Sequence, residues 1–113
     1  MLRHVFLFCL VLVLLLPSGP AWAELDLELG AQIFANNCAA CHIGGGNVLL
    51  SNKTLKQSAL DEYGVNTHEQ VTYQVRNGKN AMPAFKDRLD EDQIESVAAY
   101  VLSQAAKGWQ VGA

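Results

Sequence analysis

The chain has 113 residues, eight Lys/Arg against eleven Asp/Glu and a formal net charge of −3 at pH 7. That mildly acidic balance argues against a nucleic-acid partner, whose binding face would be basic, and suits pairing with a basic docking surface. The length allows one small domain, and such a domain buries little core and is usually marginal without a disulfide, a metal or a cofactor.

The first stretch, Met1 to Ala23, reads MLRHVFLFCLVLVLLLPSGPAWA. Arg3 gives a positive start, Val5 to Leu16 is an unbroken apolar run, and Pro17 to Pro20 breaks it. Ala21-Trp22-Ala23 meets the small-x-small cleavage rule. The run is too short for a bilayer span of about 20 residues. The expected organisation is a cleaved signal peptide over 1–23 and a single domain over 24–113. Cys9 and Arg3 leave with the leader, so the exported domain keeps Cys38, Cys41 and seven Lys/Arg.

Four helices are expected in the domain, and nothing reads as a strand. The first runs from about Asp26 to Asn36, with Leu29 and Ile33 one turn apart and Phe34 beside them. A second, short helix is expected from Thr54, where Thr54-x-x-Gln57 spells a capping box, and it stops before Gly64. The third starts at Thr67, with Gln70 repeating the device, carries Val71 and Val75 on one face, and ends at Asn77-Gly78. The fourth starts at Asp90, with Gln93 three residues on. Its apolar positions Ile94, Val97, Ala98, Val101, Leu102 and Ala105 follow helical spacing. The stretches Gly44–Lys53 and Asn77–Asp87 read as loops, which need something to pack against.

Between the first and second helices stands Cys38-Ala39-Ala40-Cys41-His42. Cys-x-x-Cys-His is the attachment signature of c-type haem. Each thiol adds to a porphyrin vinyl group, and the adjacent His is placed to ligate the iron. A structural zinc site wants four protein ligands, and the domain's one other histidine, His68, stands alone. A redox dithiol belongs in a βαβ context. A plain disulfide is open to an exported protein but leaves His42 and the long loops without a role.

Haem iron takes a sixth ligand, and the domain has one methionine, Met82, in NGKNAMPAF, forty residues beyond His42. It follows a helix stop, and Pro83 fixes an extended exit that holds its side chain out. Met/His ligation raises the reduction potential. His68 is the rival ligand, one residue past a helix N-cap in a solvent-facing place. With both axial positions filled, no site stays open for substrate. The expected function is then carriage of single electrons rather than enzymatic turnover.

Taken together, LELGAQIFANNCAACHIGGGNV, NKTL, LDEYG, YQVRNGKNAMPAF and RLDEDQIESVAAYVLSQAAKGW resemble the class I cytochromes c, and closely resemble the photosynthetic cytochrome c6 family. The resemblance covers essentially the whole domain. It implies an all-α class I cytochrome c fold, about four helices wrapped around one covalently bound haem c. It implies Cys38 and Cys41 as thioether anchors, and His42 and Met82 as iron ligands. Gly30, Phe34 and Tyr100 would make the crossing of first and last helices. Gln74 would lie over the haem, Asn47 and Lys53 near its propionates, and Arg88 in the docking face for photosystem I. Gly46 stands where the family often has a larger polar residue. The implied role is that of a monomeric carrier in the thylakoid lumen, from cytochrome f of the cytochrome b6-f complex to photosystem I. The alternative is a respiratory cytochrome of the bacterial periplasm that serves a terminal oxidase.

Overall fold

The computed structural model describes residues 22–110 of the chain, with side chains from Leu27 onward. The expected leader lies outside the described residues except for Trp22 and Ala23. Among the described residues five α-helices follow in order: α1 Trp22–Asn37, α2 Ala39–His42, α3 Gln57–Glu62, α4 His68–Asn77 and α5 Glu91–Ala106. A 3-10 turn, Ile43–Gly45, continues directly from α2. Among the described residues no extended strand forms; a single antiparallel bridge joins Lys79 and Met82.

Helix α5 is the backbone of the core. Asp90 accepts from the Gln93 backbone N–H at 2.8 Å, and the Gln93 side-chain oxygen accepts from the Asp90 N–H at 2.9 Å. This complete capping box fixes where the helix begins. Ile94, Val97 and Ala98 then bury almost completely. At the far end the Gly108 N–H reaches the Ala105 carbonyl and the Trp109 N–H reaches the Gln104 carbonyl. This is a Schellman stop with Gly108 in the left-handed region, and it throws Trp109 back over the core.

Helices α1 and α5 cross at Gly30. A Cβ there would lie 2.2 Å from the Ser96 carbonyl oxygen and 2.7 Å from the Tyr100 Cβ, so only a missing side chain permits the approach. Phe34 fills the adjoining space, with ring centroids 5.4 Å from Tyr100 and 5.3 Å from Trp109. The expected contact of Gly30, Phe34 and Tyr100 is therefore present, with Trp109 as a fourth member. Helix α4 packs on α5 through Val71 and Val75. Outside that seam, Arg76 pairs with Glu91 and His68 with Glu95.

The start of α3 departs from expectation. Thr54 does not cap it: the helix begins at Gln57 with Lys56 as N-cap and no side-chain cap. Thr54 Oγ1 instead takes a 3.4 Å bond from the Lys56 N–H. The reason is tertiary. The Leu55 N–H donates to the Gly45 carbonyl at 2.8 Å, and the Leu55 carbonyl accepts from the Trp109 indole at 2.8 Å. The Leu55 N–H would be free at a helix start in any case, but the Leu55 carbonyl is drawn away from the helix, which begins at the next residues. Thr67 does cap α4, accepting from the Gln70 N–H at 3.2 Å. There the Gln70 side-chain oxygen accepts from the Thr67 hydroxyl rather than from its backbone.

Candidate haem site

The loops wrap a cleft of about 310 Å³. Phe34, Leu55, Leu60, Val75, Phe85 and Val101 contribute its apolar walls. Every residue singled out from the sequence for the site lines it: Cys38, Cys41, His42, Asn47, Lys53, Gln74, Met82 and Arg88. His68 does not. It sits on the outer face of α4, paired with Glu95, and its candidacy as an iron ligand ends there.

The cysteine segment is rigid because α1 runs almost without pause into α2. The Cys38 N–H donates to the Phe34 carbonyl at 2.9 Å, and the His42 N–H to the Cys38 carbonyl at 2.9 Å. Both thiols are free. Burial, and then the neighbouring Cys41, push the Cys38 thiol up to about 11. An attacking redox thiol needs the opposite, a stabilised thiolate. Among the described residues no group of three or more His, Cys, Asp or Glu converges as a metal site.

His42 Nδ1 lies 2.9 Å from the Gly46 carbonyl oxygen. A carbonyl can only accept, so Nδ1 carries the proton and neutral imidazole keeps its lone pair on Nε2. That is the tautomer a metal-ligating histidine requires, with its other nitrogen held by a backbone acceptor.

Met82 is placed by a tight turn. The Lys79 N–H donates to the Met82 carbonyl at 3.0 Å, and the Met82 N–H to the Lys79 carbonyl at 2.9 Å. Asn80 supplies the left-handed φ of 52° within the turn. Gly78, at φ 70° and ψ 178°, lies beneath it, where a Cβ would come within 2.6 Å of the Met82 carbonyl oxygen. The Phe85 N–H then ties the segment back to the Val75 carbonyl at 2.9 Å. Beside that anchor on α4, the Gln74 amide nitrogen reaches the Met82 sulfur at 3.6 Å. A sulfur that takes an N–H bond has less electron density to give, so Gln74 acts on the prospective donor atom itself.

The remaining residues of the set also make local contacts. The Asn47 side-chain oxygen accepts from the Leu49 and Leu50 N–H groups at 2.9 and 2.8 Å. Its amide nitrogen donates to the Lys53 carbonyl at 2.9 Å. Asn47 thus pins its own loop and retains one N–H for a ligand. Lys53 Nζ stands 3.4 Å from the Tyr63 ring centroid, a cation–π contact. The Arg88 guanidinium lies over Phe85 at 4.8 Å, exposed at the rim of the cleft. Sequence reasoning missed Trp109 as a part of the site's frame. The signal was present in Gly108-Trp109 after an amphipathic helix, the pattern of a Schellman stop with an apolar residue beyond it.

The donor set fits a c-type haem. Apolar walls suit a porphyrin, and the N-terminal half of the chain brings two thiols and an imidazole with a free Nε2. The C-terminal half brings a thioether sulfur. A helical shell closed around a cleft that a Cys-x-x-Cys-His turn enters defines a class I c-type cytochrome.

Known proteins agree with that class and narrow it. A family model described as "Cytochrome C oxidase, cbb3-type, subunit III" matches residues 25–101. Cytochrome c6 of Thermosynechococcus vestitus is 52% identical over 107 residues, 95% of this chain and 96% of that protein. Cytochrome c6 of Parathermosynechococcus lividus is 62% identical over 84 residues, 74% of this chain and 97% of that protein. The solved structure of cytochrome c6 from the diatom Phaeodactylum tricornutum superposes with a TM-score of 0.73 at 53% identity. It covers 74% of this chain and 99% of the diatom protein. The chain belongs to the cytochrome c6 family; it carries one covalently bound c-type haem and is an electron carrier.

Proposed function

We propose that Cys38 and Cys41 anchor the haem by thioether bonds and that His42 and Met82 ligate its iron from the two faces. The bound group supplies a one-electron iron couple. The protein's part would be to hold the His42 imidazole and the Met82 sulfur as the two protein donors to that iron. The observation that carries this reading is the pairing of preset donors: a His42 imidazole with Nδ1–H committed to Gly46, and a Met82 sulfur fixed by its turn and held by Gln74. The apolar lining excludes water, and the fixed ligands limit rearrangement when charge changes.

The partners follow from the family. The chain is a mobile carrier in the thylakoid lumen, taking electrons from cytochrome f of the cytochrome b6-f complex and passing them to photosystem I. Residues 1–23 act as the export leader and are removed. The apolar run of the first 23 residues, ended by a small-x-small site, supports that division. Arg88, exposed at the cleft rim, contributes to docking on photosystem I. The description of the matching family model as an oxidase subunit favours a second role, delivery to a terminal oxidase.

Flash-induced oxidation of the reduced holoprotein by isolated photosystem I tests the main role. Fast, salt-sensitive oxidation is expected. A slow reaction indifferent to salt, beside fast turnover by an oxidase, would reverse the assignment.

A further inference from the structure

Trp109 has no part in the reading above, yet two hydrogen bonds and a ring contact tie it to Gly45. Its indole N–H donates to the Leu55 carbonyl at 2.8 Å, and the Leu55 N–H donates to the Gly45 carbonyl at 2.8 Å. The ring contact is made by the indole face. A Cβ on Gly45 would fall 2.3–2.5 Å from three ring atoms of Trp109, so the ring lies flat on the glycine. Gly45 is buried at φ 79°, a conformation that only glycine holds cheaply. The next carbonyl along, that of Gly46, is the acceptor for His42 Nδ1–H.

We infer that Trp109 is a positioning residue for the iron-ligating histidine: it clamps Gly45 so that the Gly46 carbonyl stays locked on His42 Nδ1. The inference rests on the assignment of His42 as an iron ligand. The physical need is plain. The Gly44-Gly45-Gly46 run is the most permissive backbone in the domain, and left to itself it would let that carbonyl swing away. The restraint comes from the turn that ends α5, more than sixty residues distant in sequence. The Schellman stop of α5 aims the ring, the bond to Leu55 fixes its edge, and Gly45 accepts its face. A carbonyl held on Nδ1–H raises the basicity of the ligating nitrogen, so the clamp acts on the potential of the iron as well as on the fold.

Trp109→Phe keeps a ring over Gly45 and removes the N–H. Ile94→Val, buried in α5 and away from the cleft lining, serves as a control that weakens the core by a similar amount. In the Trp109→Phe holoprotein the His42 ring N–H is expected to exchange with deuterium about five-fold faster, the population change that goes with losing one net hydrogen bond. The midpoint potential is expected to rise, because a less basic imidazole favours the oxidised iron less. Ile94→Val is expected to leave the potential unchanged and the exchange rate within about two-fold of the parent, a smaller change than the loss of a whole hydrogen bond. Equal effects of the two variants, or no effect of Trp109→Phe, would overturn the inference. The unmutated holoprotein offers a second measurement. The Trp109 indole and His42 ring N–H protons are expected to exchange through one opening, with one denaturant dependence. Separate dependences would equally overturn it. If the His42 ring proton carries no iron-induced shift at all, the ligand assignment itself fails, which is a distinguishable result.

Discussion

Gly78→Ala joins backbone strain to Met82, the proposed iron ligand. Gly78 sits at φ 70° and ψ 178°, a region held almost solely by glycine, so any side chain costs about 1–3 kcal/mol there. A second cost is steric. The new Cβ would lie 2.6 Å from the Met82 carbonyl oxygen, 2.7 Å from the Ala84 nitrogen and 2.8 Å from the Pro83 carbonyl carbon. All three are backbone atoms, and forcing such a contact adds about 1–3 kcal/mol. The combined cost, about 2–6 kcal/mol, is a large part of the about 5–15 kcal/mol that holds a small domain folded. Gly64→Ala separates the two costs. Gly64 has φ 68°, and a Cβ added there would meet nothing within 4 Å. It therefore carries the left-handed penalty alone, about 1–2 kcal/mol. Guanidinium unfolding of the two holoproteins should place Gly78→Ala at least about 1 kcal/mol below Gly64→Ala, the lower end of the steric cost. The clashing atoms belong to the Met82 segment, so the chain relieves the strain by moving that segment. The weak far-red band of sulfur ligation should fade in Gly78→Ala and persist in Gly64→Ala. Equal stabilities with the band intact in both would refute the reasoning.

Gly30→Ala should force α1 and α5 apart, since a Cβ there meets the Ser96 carbonyl oxygen at 2.2 Å. A loss of about 1–3 kcal/mol is expected, and a change under about 0.5 kcal/mol in thermal unfolding would contradict the close crossing. Met82→Ala should lower the midpoint potential and let the reduced holoprotein bind carbon monoxide at neutral pH, as spectra would record; an unchanged midpoint would remove Met82 from the iron. Arg88→Glu should slow oxidation by photosystem I at low salt while leaving the potential nearly fixed, and equal rates would reject its docking role. The bonds from Asn66 and Gln57 hold the Asp61 carboxyl below its ordinary range. A lowered folded value means that the contribution of this cluster is present above the ordinary carboxylate range and is lost as pH falls through the lower value. NMR titration of Asp61 should show that depressed midpoint; one at or above the free-peptide value would dissolve the cluster.

Much of the molecule is legible in the sequence because its signals are local. The Asp90–Gln93 box and the Thr67 cap act within four residues, so the starts of α5 and α4 follow from neighbouring residue types alone. The proposed haem-attachment turn is marked by the two-residue gap between Cys38 and Cys41, and Met82 stands out as the one methionine of the domain. What the tertiary structure decided is what depends on atoms far apart in the chain. Thr54-x-x-Gln57 spells a cap as well as Thr67-x-x-Gln70 does, yet α3 begins later, because the Trp109 indole claims the Leu55 carbonyl. That Asn47 also pins its own loop could not be read from the sequence. The bond from Gln74 to the Met82 sulfur, the removal of His68 to the outer face, and the indole on Gly45 are likewise three-dimensional facts. Short-range hydrogen bonds and fixed motif spacings are written into neighbouring residues. Which partner a backbone N–H or carbonyl takes is settled only when the chain closes on itself and the better-buried partner wins.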